Sequence, residues 1–166
     1  DLVAEIPGTY ETRPAFIKTN IGKARLYGYD FEFMYNFYKS FVCYGSLSYV
    51  RGEDTENKTN LALIPPLNGK IGLKFSVYNY VNFDFSTALY DKQDNTAKGE
   101  LNTPGYAVFN AGINSMQIKY KFFDVQLFAG VENIFDKEFR NHLSSNRGLI
   151  VVEPGRNFYA KLKFNF

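Results

Sequence analysis

The 166-residue chain has no tryptophan, one cysteine and one histidine. With Cys43 alone, no disulfide forms within the chain. With His142 alone, a multi-histidine metal site within it is excluded. No apolar run approaches the ~20 residues of a membrane helix, and mean hydropathy is −0.28. A helical membrane protein is therefore excluded. A membrane β-barrel is not, because its strands alternate apolar and polar residues and average to mild hydropathy. Charge of one sign is also missing: 19 Lys+Arg against 17 Asp+Glu leave +2, too balanced for a dedicated nucleic-acid binder. The glycines never form G-x-G-x-x-G ahead of a helix, so no nucleotide fingerprint exists. No initiator methionine or signal peptide opens the chain. Residues 1–7 read like the end of a strand entered midway, so a fragment or mature piece of something longer is expected.

What the chain does have is 17 Phe and 13 Tyr, 18% of its residues. A hydrophobic fraction of 45% excludes gross disorder. These residues alternate with polar ones at a period of two, the signature of strands. Tyr27, Tyr29, Phe31, Phe33, Tyr35 and Phe37 share one face, with Gly28, Asp30, Glu32, Met34 and Asn36 on the other. The same reading places strands at 22–37, 41–53, 67–78, 80–92, 105–119, 122–134 and 156–166, with residues 1–6 ending an eighth. No segment shows an amphipathic helical period over ten or more residues.

The connections alternate in length. Tyr38-Lys39-Ser40, Tyr78-Asn79 and Tyr120-Lys121 read as tight turns, while 7–21, 54–66, 93–104 and 135–155 read as long loops. Short turns at one end and long loops at the other is the layout of an outer-membrane barrel. Tyr and Phe gather at strand ends beside the tight turns, where an apolar ring with a polar tip suits a lipid–water boundary. A soluble β-sandwich or lipocalin-like barrel would instead turn its rings to an inner core. The apolar face stays nearly uncharged over about 10 residues per strand, close to a membrane span, which favours the membrane reading. The expected fold is all-β: an antiparallel up-and-down transmembrane β-barrel segment of roughly seven to eight strands. The last strand carries Phe158, Ala160, Leu162, Phe164 and Phe166 at two-residue steps. Such an amphipathic strand can pair with a partner's sheet edge, and Phe158, Leu162, Phe164 and Phe166 are its candidate assembly signal.

Several segments resemble one family. Residues 133–142, Asn-Ile-Phe-Asp-Lys-Glu-Phe-Arg-Asn-His, resemble the N-[LI]-F-D-K-x-[YF]-x-x-H stretch of TonB-dependent outer-membrane receptors. Glu153-Pro-Gly-Arg156 resembles the P-G-R that opens their last strand. Asn20-Ile-Gly-Lys-Ala24 with Gly28-Tyr-Asp30, Leu47-Ser-Tyr-Val-Arg-Gly52 and Ile64-Pro-Pro-Leu67 look similar too, in the same order. The resemblance spans about residue 14 to 166 and implies a 22-stranded barrel closed by an internal plug. It implies import of a scarce nutrient such as a ferric siderophore, haem, cobalamin or copper. The implied partners are outer-membrane lipid, the rest of the receptor with its plug, an inner-membrane energy-coupling protein and the barrel assembly machinery of a Gram-negative cell. No nucleic acid, cofactor or resident metal is implied. Residues 1–166 would be the C-terminal part of the barrel, without the plug, the energy-coupling box or the earlier strands. The 48–52, 64–67 and 153–156 segments look particularly similar to the copper branch, yet Met34, Met116, Cys43 and His142 do not cluster in the strand map.

Ligand-contact candidates lie on the long-loop side: Arg51, Glu53 and Asp54 near loop 54–66, and Arg140, His142, Asn146 and Arg147 in loop 135–155. His142 with Ser144 and Ser145 lacks a third group to orient the imidazole, so no catalysis is expected. Asp30, Glu32, Lys70, Lys74, Asp84, Glu132, Lys161 and Lys163 share the polar face and are placed for charge ladders across strands. A self-contained eight-stranded outer-membrane barrel, acting as adhesin or surface anchor, is the alternative function, and a soluble β-sheet binder a third.

Overall fold

The computed structural model describes residues 2–78, 80–148 and 150–166. In chain order the elements are β1 (Leu2–Tyr10), β2 (Arg13–Ile21), β3 (Ala24–Tyr38), β4 (Phe41–Asp54), β5 (Thr59–Asn60), β6 (Asn68–Val77), β7 (Val81–Tyr90), β8 (Tyr106–Ser115), β9 (Ile118–Lys119), β10 (Asp124–Glu132), α1 (His142–Asn146) and β11 (Asn157–Asn165). β1 and β2 pair as a two-stranded sheet. The other strands form one antiparallel sheet, ordered β11-β10-β8-β7-β6-β4-β3, with β5 on β4 and β9 on β10. The sheet is curled as a half-barrel. No described helix is long and apolar enough to cross a membrane.

The alternation read from the sequence survives as register. Phe31 stands opposite Leu47 and Phe33 opposite Gly45. Gly45 then meets Ile71, Ile71 meets Thr87 and Thr87 meets Phe109. At the far edge Leu127 meets Leu162 and Val125 meets Phe164. All these side chains lie on one face, because a strand's side chains alternate and paired residues share a side. That face is uncovered: Phe31 is 58% exposed and Phe85 52%. Among the described residues the rings are therefore not gathered in a dry centre. The opposite face runs through Met34, Tyr44, Gly72, Ser86 and Asn110 in one row.

The tight turns fall where expected. Tyr38 pairs with Phe41 across Lys39-Ser40, and Val77 pairs with Val81; Asn79 of that turn lies outside the described residues. The third turn is shifted, with the Tyr120 N–H donating to the Phe123 carbonyl at 2.8 Å, so β10 starts at Asp124 rather than 122. The strand expected at 105–119 is interrupted between Ser115 and Ile118.

One connection differs outright. Residues 7–21, expected as a loop, are the larger part of the β1–β2 hairpin. Glu11 and Thr12 turn it with φ of 46° and 70°, the left-handed pair that matches the twist of a two-residue hairpin. Pro7 and Pro14 obscured it, since proline reads as a strand breaker. Counting back from the Tyr10–Arg13 pair that flanks the turn, Pro7 and Pro14 fall at the alternate, non-hydrogen-bonded positions of the ribbon, so a missing N–H costs no ladder bond.

Candidate functional site

The long connections fold back over the polar face at their end of the sheet. Gly52 is on that face, and a Cβ there would stand 2.7 Å from Ile64 Cδ1 and 3.0 Å from Leu61 Cδ1. Tyr106 stacks on Tyr90 at 4.6 Å and meets Phe139 at 4.5 Å. The buried side chains accordingly include Leu61, Ala97, Gln93, Thr103, Asn133, His142 and Asn146, all in these connections.

Two of the family-like motifs interlock. Asn133, at φ 51°, is 3% exposed. Its N–H donates to Asn110 Oδ1 at 2.9 Å. Its Oδ1 accepts from the Lys137 N–H at 2.8 Å, and its Nδ2 donates to the Lys137 carbonyl at 2.8 Å. The amide thus acts as a backbone surrogate that closes the bend over residues 133–137. Nδ2 also approaches the Pro154 carbonyl at 3.4 Å. Asp136 Oδ1 accepts from the Arg156 N–H at 2.7 Å. The 133–142 segment is thereby tied to 153–156.

His142 opens α1, a single turn capped by Asn141, whose Oδ1 accepts from the Leu143 and Ser144 N–H groups at 3.0 and 3.3 Å. The imidazole is enclosed. Nδ1 lies 3.1 Å from Thr103 Oγ1 and 3.1 Å from Asn146 Nδ2. Nε2 is buried without a hydrogen-bond partner and faces Glu100 Oε1 at 3.8 Å. Burial pulls the imidazole's pKa below its usual 6.5, and Glu100 opposes this. Glu100 in turn accepts from the Leu63 N–H at 2.6 Å and the Ala97 N–H at 2.8 Å. Glu100 and Thr103 were not legible as partners: no spacing pattern marks them, and Thr103 stands 39 residues from His142.

The ligand-contact candidates therefore separate into three groups. His142, Asn146 and Asp54 are interior, at 3%, 8% and 6% exposure. Arg140 and Arg147 are exposed on the same connection. Arg51 and Glu53 share the face of Leu47 and Tyr49, the apolar one, by two-residue steps along β4. There Glu53 bridges Arg51 at 2.8 Å and Arg25 at 3.1 Å, and the Arg25 guanidinium lies over the Tyr27 ring at 5.2 Å. These charges stand just beyond the Tyr27, Tyr29 and Tyr49 rings. They line a recess of about 370 Å³ with Lys58 and Thr59. Asp54, buried, accepts from the Glu56 and Asn57 N–H groups at 2.9 and 3.1 Å and from Asn57 Nδ2 at 2.7 Å, which closes the turn after β4.

The Nδ1 partners of His142 are Thr103 and Asn146 rather than Ser144 or Ser145. Among the described residues, no group of three or more His, Cys, Asp or Glu is placed to hold a metal. Cys43 pairs with Leu73 on the apolar face, and Met34 lies on the polar face of β3. Met116 Sδ accepts from Asn82 Nδ2 at 3.7 Å, far along the chain from His142.

On the polar face the charge pairing is local. Lys74 stands opposite Asp84, 4.0 Å away. Tyr44 Oη donates to Asp84 at 2.9 Å, and the Lys70 and Lys74 ammonium groups lie over the Tyr44 ring at 5.8 and 5.0 Å. Lys161 lies over Phe128 at 6.0 Å. At the sheet's edge, Phe158, Leu162 and Phe164 of β11 form one exposed row that Phe166 continues.

The comparisons fit this geometry. Residues 1–134 match the model of the "TonB dependent receptor-like, beta-barrel" family. A solved structure titled "Copper transporter OprC" superposes over 100% of this chain with a TM-score of 0.86 at 24% identity. The present chain spans 27% of that protein's chain. No curated protein matches. The two-faced antiparallel sheet with tight turns at one end and packed long connections at the other is that family's barrel wall, and the chain belongs to the TonB-dependent receptor β-barrel family.

Proposed function

We propose that residues 1–166 are the C-terminal part of the barrel of an outer-membrane transporter that imports a scarce nutrient such as a siderophore, haem or metal ion. The observation that carries this reading is the pairing register. It sets the apolar row Tyr35, Cys43, Leu73, Phe85, Ala111, Val131 and Phe158 from β3 to β11 on one side and Lys74, Asp84, Lys70 and Tyr44 on the other. A sheet built this way is satisfied by hydrocarbon outside and water or protein within. The tight turns then face the periplasm and the long connections the outside. The polar face receives the plug, through which an inner-membrane partner supplies energy. Arg140 and Arg147 are the exposed side chains on the cap where an arriving solute makes contact. His142, Asn146 and Asp54 serve it by shaping the cap. The name of the structural neighbour supports a metal as cargo. The outward row ending in Phe166 serves recognition by the assembly machinery.

The adhesin-type alternative needs a closed eight-stranded barrel. β3 and β11 are the two edges of the sheet and do not pair, which favours the larger receptor.

The test combines topology with transport. An epitope placed at Lys98 is expected to bind antibody on intact cells. Deleting the gene is expected to abolish energy-dependent uptake of one among ferric siderophore, haem and copper. An epitope reached only after the outer membrane is permeabilised rejects the orientation. Unchanged uptake of all three rejects the transport reading.

A further inference from the structure

The connection between β4 and β6, the connection between β7 and β8, and the connection between β10 and β11 meet at one enclosed pair of side chains. Glu100 and His142 each have side chains 1% exposed. Glu100 takes N–H groups from the first two connections, at Leu63 and Ala97. Asn146 ties the third to the second: its Oδ1 accepts from the Leu101 N–H at 2.7 Å and its Nδ2 donates to the Leu101 carbonyl at 3.1 Å.

We propose that His142 and Glu100 form an acid-sensitive latch holding the three connections together as one cap, released when the imidazole takes a second proton. As an external gate the latch rests on the receptor reading above; as a chemical device it stands on the contacts alone.

The network dictates where that proton goes. Asn146 Oδ1 accepts from Leu101, so Asn146 Nδ2, which also reaches the Leu101 and His142 carbonyls at 3.1 Å, turns its N–H side toward His142 Nδ1. Nδ1 is then an acceptor, and the neutral ring carries its hydrogen on Nε2, facing Glu100. A second proton from solvent goes to Nδ1. There an N–H meets the Asn146 N–H, donor against donor. The Thr103 hydroxyl rotates to accept, but the Asn146 amide has no such freedom without losing Leu101. The charge now in the ring draws on Glu100, whose oxygen is 3.8 Å from Nε2. To close that gap the carboxylate leaves the Leu63 or Ala97 N–H. Each response opens a seam between connections.

The charged group acting on the ring is Glu100; Thr103 and Asn146, the other neighbours, do not titrate. Because enclosure outweighs Glu100, the closed cap binds the proton less readily than the opened one. Stability of the cap is thus full above the usual histidine pKa of about 6.5 and falls as pH drops below it.

Hydrogen exchange of the full-length receptor in outer-membrane vesicles tests this without any transported cargo. Rates are measured at pH 7.5 and 5.0 and corrected for the intrinsic pH dependence. Peptides covering Leu63, Ala97 and Leu101 are expected to lose protection by about tenfold at pH 5.0, while β6 and β7 do not change. His142→Gln is expected to remove the dependence. Glu100→Gln is expected to deepen the loss at pH 5.0, since the closed cap then binds the proton still less readily while the onset stays at the opened cap's value. Should His142→Gln open the cap already at pH 7.5, the size of the Glu100→Gln acid loss decides. Equal protection of the unmodified protein at both pH values overturns the latch. So does the same acid loss in His142→Gln, or an acid loss in Glu100→Gln no larger than in the unmodified protein. None of these results bears on uptake, so latch and transport fail separately.

Discussion

The Asp136 carboxylate accepts a hydrogen bond from the Arg156 backbone N–H at 2.7 Å. It also closes off the space beside Gly155, where a Cβ would stand 2.6 Å from Asp136 Oδ1. The residue preceding Arg156 therefore has to be small if this bond is to form. Gly155→Ala is expected to push the carboxylate away and loosen the start of β11. The bond is exposed, so the cost is about 1 kcal/mol. Urea unfolding in detergent, compared with Asp136→Ala, measures it. The two substitutions are expected to be non-additive when combined, because each removes the same bond.

Asn133 has more at stake. It is interior, it sits at a left-handed φ that asparagine tolerates better than most residues, and its amide serves both backbone groups of Lys137. Asn133→Ala leaves those groups without partners and keeps the strained backbone. A loss on the order of 3 kcal/mol is expected. Asn133→Gly relieves the backbone but not the hydrogen bonds, and is expected to lose about 1 kcal/mol less. Thermal unfolding of the two variants side by side separates the contributions.

These two positions show what the sequence made legible. Asn133, Asp136 and Gly155 belong to stretches whose residue types and spacing stand out, and the strands announced themselves by alternation. Both signals are local in the chain. The β1–β2 hairpin was hidden by Pro7 and Pro14, because a breaker in a wide sheet is harmless in a ribbon. Glu100 was hidden for a different reason. Its partners are backbone N–H groups, at Leu63 and Ala97, and a ring from a distant connection, and none of them leaves a mark in sequence. The outward placement of Arg51 and Glu53 was readable, since both continue the odd-numbered row of β4.

The two faces of the sheet respond oppositely to charge. Ile71 lies in the apolar row between Gly45 and Thr87, and Met34 lies in the polar row opposite Tyr44. Both are well exposed in the chain by itself, so burial alone does not distinguish them. In a bilayer Ile71→Lys is expected to cost about 2–4 kcal/mol, as a lysine does near the midplane of a barrel wall. Met34→Lys is expected to change stability by less than about 0.5 kcal/mol. Heat-modified gel mobility of the refolded protein, with urea titration in lipid vesicles, reads both. Equal penalties at the two sites would remove the distinction between lipid and lumen.

Two glycines on the polar face make a sharper comparison. A Cβ at Gly72 would run into the Tyr44 ring and hydroxyl and nothing nearer. A Cβ at Gly130 would meet Tyr159 Oη at 2.5 Å, but also the Ala111 carbonyl oxygen at 2.7 Å. The first obstruction is a side chain and the second includes backbone. Gly72→Ala and Gly130→Ala are each expected to cost about 1–3 kcal/mol. Adding Tyr44→Ala is expected to recover most of the Gly72→Ala loss, beyond what Tyr44→Ala itself costs. Adding Tyr159→Ala is not expected to recover the Gly130→Ala loss, because Ala111 is held in the β8–β10 pairing opposite Val131 and cannot withdraw. Double-mutant cycles from urea unfolding give the two coupling energies directly. A large coupling at Gly72 with a small one at Gly130 is the outcome this geometry requires, and the reverse would mean that the inward tyrosines do not lie across these glycines.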